Sequence, residues 1–277
     1  MQARDPDTPV IPNVLSIAGS DPSGGAGIQA DIKAISANRG YAMAALTALT
    51  AQNTCGVSGV HLVPPDFVAA QIDAVFADIR VDAVKVGMIA TAGIATAVAD
   101  ALARHAPPVV VLDPVMVAKG GASLLAADAV AAVRARLLPL ATVVTPNLPE
   151  LAALLGETEA DTREAMADQA ARLLARGPRA VLAKGGHLPG AASPDALVTP
   201  AGVVWLEGPR HATANTHGTG CTLSAALATL LARGLPPAEA ARAAKDYVAG
   251  AIAASGQLSV GHGHGPTHHF HALWPQG

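Results

Sequence analysis

The chain has 277 residues, is 51% hydrophobic and only 3% aromatic, and carries a formal net charge of −3. It has no basic run to suit nucleic acid or a membrane surface, and no stretch of about 18 apolar residues to span a bilayer. Its two cysteines, Cys55 and Cys221, make no disulfide framework, and its first residues lack the apolar core of a secretion signal. A soluble protein of the reducing cytosol is therefore expected.

Residues 1–12 are expected to form a flexible extension, and residues 13–277 one domain in which strands and helices alternate. Asn13–Ala18 predicts a buried strand stopped by Gly19. Gly27–Arg39 predicts a helix closed by Gly40, and Tyr41–Thr50 an apolar strand. Pro65–Asp78 predicts a helix with proline in its first turn. Ala83–Val86, Val109–Leu112, Thr142–Val144 and Ala180–Ala183 predict short strands. Helices are expected at Ala92–Arg104, Ala126–Leu137, Leu148–Leu155 and Arg163–Arg176. Ala196–Thr199 and Val203–Leu206 predict an antiparallel hairpin at the sheet edge, before helices Gly220–Arg233 and Pro237–Ser255. The expected fold is an α/β three-layer sandwich with a mostly parallel central sheet. In such sheets ligands lie beyond the carboxyl ends of the strands, where Gly19–Asp21, Gly87–Met88, Asp113–Pro114, Thr145–Asn147 and Lys184–Gly186 gather.

The most informative stretch is T-A-N-T-H-G-T-G-C-T from Thr213, a polar turn broken by Gly218 and Gly220 that runs into an apolar helix. A helix start offers unpaired N–H groups and partial positive charge, so Gly218, Thr219 and Gly220 suit a phosphate cradle, with Cys221 facing its contents. The same features also suit a well-capped helix with a small buried residue. The phosphate loop of the nucleoside triphosphatases is absent. A dinucleotide fingerprint at Gly25–Ala30 follows its strand too late and has no acid between Asp31 and Asp66, which disfavours a nicotinamide dehydrogenase. Phosphoryl transfer fits the remaining groups. Asp113 and Glu150 suit Mg²⁺, and Lys184 suits a phosphate. Glu150 would equally complement its helix dipole, and Lys184 would equally snorkel at the surface.

The blocks I-A-G-S-D-P-S-G-G-A-G-I-Q-A-D (Ile17–Asp31), A-Q-N-T (Ala51–Thr54), K-V-G-M (Lys85–Met88), D-P-V-M-V-A-K-G-G (Asp113–Gly121), T-P-N-L-P-E (Thr145–Glu150), K-G-G-H (Lys184–His187) and N-T-H-G-T-G-C-T (Asn215–Thr222) occur in one order. Together with the tail Gly265–Trp274, they resemble the bacterial hydroxymethylpyrimidine/phosphomethylpyrimidine kinases of thiamine biosynthesis, in the ribokinase-like superfamily. The resemblance implies an ATP- and Mg²⁺-dependent kinase, a homodimer, acting twice on a small pyrimidine alcohol. It implies Cys221 as the base in the Gly218–Thr219–Gly220 anion hole, its thiol acidified by the helix start. Gln52, Gly19, Asp31, Met88 and Val115 would bind the pyrimidine. Asn147, Lys184 and Lys119 would serve the nucleotide, with Lys119 in a lid, and Asp113 and Glu150 the metal. His217 reads as an ordinary turn residue, Cys55 as structural, and the histidines from His262 to His271 as native tail rather than a zinc cluster. Pyridoxal kinase activity and a non-catalytic ligand-binding protein are the alternatives the residues leave open.

Overall fold

The computed structural model describes residues 10–116 and 127–274. Residues 1–9 of the predicted extension, and Lys119 with the predicted lid, lie outside the described residues. The chain opens with β1 (Asn13–Ala18), α1 (Gly27–Ala37) and β2 (Tyr41–Leu46), followed by β3 (Ala48–Asn53) and β4 (Gly56–Leu62). Next come α2 (Pro65–Asp78), β5 (Ala83–Val86), α3 (Ala92–His105), β6 (Val110–Leu112) and α4 (Ala127–Ala132), the last running on through a π turn at Val133–Leu137. After β7 (Val143–Val144) follow α5 (Leu148–Leu155), α6 (Arg163–Leu174), β8 (Val181–Lys184), β9 (Asp195–Thr199), β10 (Gly202–Leu206), α7 (Thr219–Ala232) and α8 (Pro237–Ala253).

The main sheet runs β10-β9-β8-β7-β6-β5-β1-β2. Within it β2, β1, β5, β6, β7 and β8 pair in parallel, while β9 and β10 add the expected antiparallel hairpin at one edge. Successive strand residues face opposite sides, so each strand feeds two cores. Leu15, Ile17, Val84 and Leu112 pack with α2 to α6, whereas Val14, Ala83, Val111 and Leu182 pack with α1, α7 and α8. This is the expected three-layer arrangement.

One expectation is corrected. Tyr41–Thr50 is not one strand: it breaks at Thr47, whose N–H bonds to Ala18 O and whose hydroxyl donates to Met88 O at 2.6 Å. The chain then leaves the sheet to form a separate antiparallel pair, β3–β4, with a register shift between Ala51 and Gln52. The alternation in T-A-L-T-A-Q-N, followed by a turn and G-V-S-G-V, is the missed signal.

The chain winds outward from β1 to β2 and returns beside β1 at β5, so direction reverses between β1 and β5, where ligands of such sheets bind. The segments beyond the strand ends are themselves in register. Gly87 N–H bonds to Ile17 O, Asp113 N–H to Val86 O, Thr145 N–H to Leu112 O, and Lys184 N–H to Pro146 O. A row of post-strand residues is thus held by backbone geometry.

Candidate active site

That row and the start of α7 enclose a cavity of about 620 Å³. Gly19, Gln52, Met88, Asp113, Val115, Asn147, Glu150, Lys184 and the Gly218–Cys221 turn all line it. A volume of this size suits a small ligand with room beyond it.

The turn before α7 has a definite backbone. Gly218 takes a left-handed φ of 77°, and a Cβ there would collide with the Gly25 carbonyl, so only glycine fits. Thr219 N–H is engaged with Thr216 O at 3.4 Å, whereas among the described residues nothing accepts from Gly220 or Cys221 N–H. The cradle therefore narrows to two amides. The N-cap residue is Gly218, which has no side chain to cap the helix.

Lys184 and Asp113 lie beside that turn, and Glu150 lies beside Lys184. Lys184 Nζ lies 3.0 Å from Asp113 Oδ1 and 3.7 Å from Glu150 Oε2. A Cβ on Gly220 would sit 3.3 Å from that Nζ, so the glycine lets the cation approach the helix start. Burial works against the Asp113 carboxylate, but Lys184 and Lys85, with the Thr145 hydroxyl at 3.1 Å, hold it below the usual range. Burial likewise opposes the Lys184 charge, yet Asp113 and Glu150 outweigh it and raise its pKa. Lys184 is thus no snorkelling lysine.

Asn147 and Glu150 form a reciprocal capping box, each side chain accepting the other's backbone N–H at 2.8 Å. Glu150 nonetheless sits 7% exposed, and burial raises its pKa to about 7, with Asp113 adding to the rise and Lys184 opposing it. A carboxyl with a raised folded pKa stabilises the fold below its unfolded value and loses that contribution as pH rises through the folded one. The unliganded protein should therefore lose stability through this group between its ordinary pKa of 4.5 and about 7. Glu150→Gln keeps the capping oxygen and cannot ionise. Its Tm should exceed the parent's at about pH 8 and converge with it at about pH 5. A lower Tm at about pH 8 would show that the Lys184 pair outweighs burial.

Two expectations are corrected here. Asp31 does not line the cavity. It is fully buried behind it, paired with Lys85 Nζ at 2.8 and 3.0 Å and accepting from Ser16 Oγ at 2.6 Å. Two buried opposite charges need each other, and only the absence of a Cβ on Gly87 leaves room for the ammonium. The Cys221 thiol is not acidified either. Burial pushes it up to about 11, with Lys85 and the Gly27 amide pulling it down and Asp31 and Asp113 pushing it further up. The helix start does not overcome the cost of placing an anion beside two carboxylates.

His217 is more than a turn residue. It is 8% exposed, its Nε2 lies 2.8 Å from Asp21 Oδ2 and 3.4 Å from Gln52 Nε2, and all three line the cavity. Gly25 accommodates its ring, because a Cβ there would strike it. Among the tail histidines, His269 is buried against the Thr222 hydroxyl at 3.0 Å, and burial lowers its pKa to about 4. No group of three or more potential metal ligands occurs among the described residues.

The family model described as phosphomethylpyrimidine kinase matches residues 21–268. The hydroxymethylpyrimidine/phosphomethylpyrimidine kinase of Escherichia coli strain K12 is 54% identical over 262 residues, covering 95% of this chain and 98% of the relative. Among solved structures, Bacillus subtilis pyridoxal kinase in an ADP complex has a TM-score of 0.88 at 37% identity, over 95% of this chain and 99% of that one. Phosphomethylpyrimidine kinase from Clostridium difficile 630 has a TM-score of 0.77 at 39% identity, over 87% of this chain and 99% of that one.

Proposed function

The chain belongs to the phosphomethylpyrimidine kinase family, and from that membership we propose how its cavity performs the reaction. It is an ATP-dependent phosphotransferase of thiamine biosynthesis. It phosphorylates the hydroxymethyl group of 4-amino-5-hydroxymethyl-2-methylpyrimidine and then the monophosphate. The observation that carries the mechanism is the convergence of Lys184 with the open Gly220 and Cys221 amides. Phosphoryl transfer needs its developing charge met by fixed donors, which this convergence supplies without rearrangement.

In this reading the γ-phosphoryl group rests on the two amides and Lys184, with Asn147 beside it. The acceptor lies toward Gly19, Met88, Val115 and Gln52. The alcohol oxygen forms its bond to phosphorus as the bond to ADP breaks, and Cys221 Sγ, as thiolate, takes the hydroxyl proton. Lys85 is the buried cation that favours that thiolate.

Asp113 and Glu150 form a two-carboxylate set with Lys184 between them, short of a stand-alone metal cage. These two carboxylates would hold Mg²⁺ with the nucleotide bound, and the ion would supply charge neutralisation there. The reading extends to a homodimer working in the cytosol.

Likeness to a pyridoxal kinase favours a second substrate class, pyridoxal, which also carries a hydroxymethyl group on a six-membered nitrogen ring. A coupled ADP-release assay with the pyrimidine alcohol, its monophosphate and pyridoxal tests the assignment. Turnover with the first two is expected, and turnover with pyridoxal alone would overturn it.

A further inference from the structure

The hydrogen atoms around Gln52 can be assigned from its neighbours. Asp21, 1% exposed, already accepts from Ser23 N–H at 2.9 Å, Ser23 Oγ at 2.6 Å and Ala26 N–H at 2.8 Å. These donors and His217 overcome burial and hold its carboxyl below the usual range, so it is an acceptor only. The His217 nitrogen 2.8 Å from it must then carry hydrogen, whether the ring is neutral or charged. That nitrogen also faces Gln52 Nε2 at 3.4 Å, which sets donor against donor.

The other end of the amide is mismatched in the opposite sense. Thr50 Oγ1 spends its one hydrogen on Ser20 O at 2.8 Å and can only accept from the Gln52 atom 3.2 Å away, Oε1. Both mismatches vanish if the amide turns over by half a revolution, an exchange of O and N that leaves its shape unchanged. Oε1 then faces the His217 N–H, whose single hydrogen goes first to Asp21, as a second and weaker acceptor at 3.4 Å, and Nε2 gives one hydrogen to Thr50. Among the described residues nothing else takes the second hydrogen of Nε2, and Gln52 lines the cavity.

We propose that Asp21, acting through His217, and Thr50 are positioning residues that lock Gln52 as a hydrogen-bond donor toward the acceptor substrate. The pocket then selects a ring nitrogen with a lone pair at that edge, rather than an amino hydrogen. The proposal rests on the reading of Gln52 as a pyrimidine-binding residue.

Steady-state kinetics on four variants test it, with KM measured separately for the pyrimidine alcohol and for ATP. Gln52→Ala should raise the pyrimidine KM about tenfold, the worth of one well-made hydrogen bond, and leave the ATP KM unchanged. Gln52→Glu, which offers only oxygens, should lose at least as much. Thr50→Val should raise the pyrimidine KM severalfold, and Thr50→Ser, which keeps the hydroxyl, should restore most of that loss. Pyrimidine binding by Gln52→Glu equal to the parent would show the oxygen facing the substrate and overturn the proposal. So would a Thr50→Val enzyme with an unaltered pyrimidine KM. If Gln52→Ala itself leaves that KM unchanged, the placement of the pyrimidine beside Gln52 fails instead.

Discussion

Cys221→Ala is expected to lower kcat for the pyrimidine alcohol by roughly 10²–10⁴, the range for loss of a general base. The same variant should lose much less with the monophosphate. The alcohol must shed a proton as its oxygen joins phosphorus. A phosphate monoester, with its second pKa near 6, already presents an anionic oxygen at neutral pH and has no proton to give up. The two half-reactions on one cavity thus separate proton removal from phosphoryl binding.

The raised thiol adds a pH signature. The charged groups facing Cys221 include Lys85 on β5, Asp31 on α1, Asp113 beyond β6 and Lys184 at the end of β8, and burial with the two carboxylates outweighs the cations and places its pKa at about 11. With so little thiolate at neutral pH, kcat/KM for the alcohol should climb with pH through the mildly alkaline range. That climb should be absent for the monophosphate and in the alanine variant. Undiminished alcohol turnover in Cys221→Ala, or a flat alkaline profile in the parent, would show that sulfur takes no proton.

Lys184→Ala should instead cost both half-reactions alike, by roughly 10³ in kcat/KM, because it removes a fixed charge from the transferred group rather than a base. The cation now lies 3.0 Å from Asp113 and 3.7 Å from Glu150. Without it two buried carboxylates face each other, and the Glu150 pKa should rise further. Protonation relieves that repulsion, so the variant should be less active at neutral pH without unfolding. Kinetics on both substrates, alongside a thermal melt, check this. A variant that loses only alcohol turnover would place Lys184 with the acceptor rather than the phosphates.

Much of this site could be read from the chain because a parallel sheet places its ligand groups at strand ends. Asp113 directly follows β6, Lys184 ends β8 and Asn147 lies three residues beyond β7, while Cys221 sits in the first turn of a helix preceded by a glycine-broken polar turn. What escaped the sequence depends on partners far apart in the chain. Lys85 sits in A-V-K-V, which reads only as a buried strand, and its partner Asp31 lies 54 residues earlier. Asp21 and His217 are separated by 196 residues, so neither looks like half of a pair. The helix start beside the Cys221 thiol is local and legible in the sequence, while the carboxylates behind it come from α1 and from just beyond β6. Tyr41–Thr50 reads as one strand because alanine-rich runs mark no boundary at Thr47, between the end of β2 and the start of β3.

The most direct test is a crystal structure of the protein with a non-hydrolysable ATP analogue and the pyrimidine alcohol together. The γ-phosphate oxygens should lie within hydrogen-bonding distance of Gly220 N–H, Cys221 N–H and Lys184 Nζ, with the hydroxymethyl oxygen between phosphorus and Cys221 Sγ. A γ-phosphate bound elsewhere, with those amides turned to protein acceptors, would contradict the account.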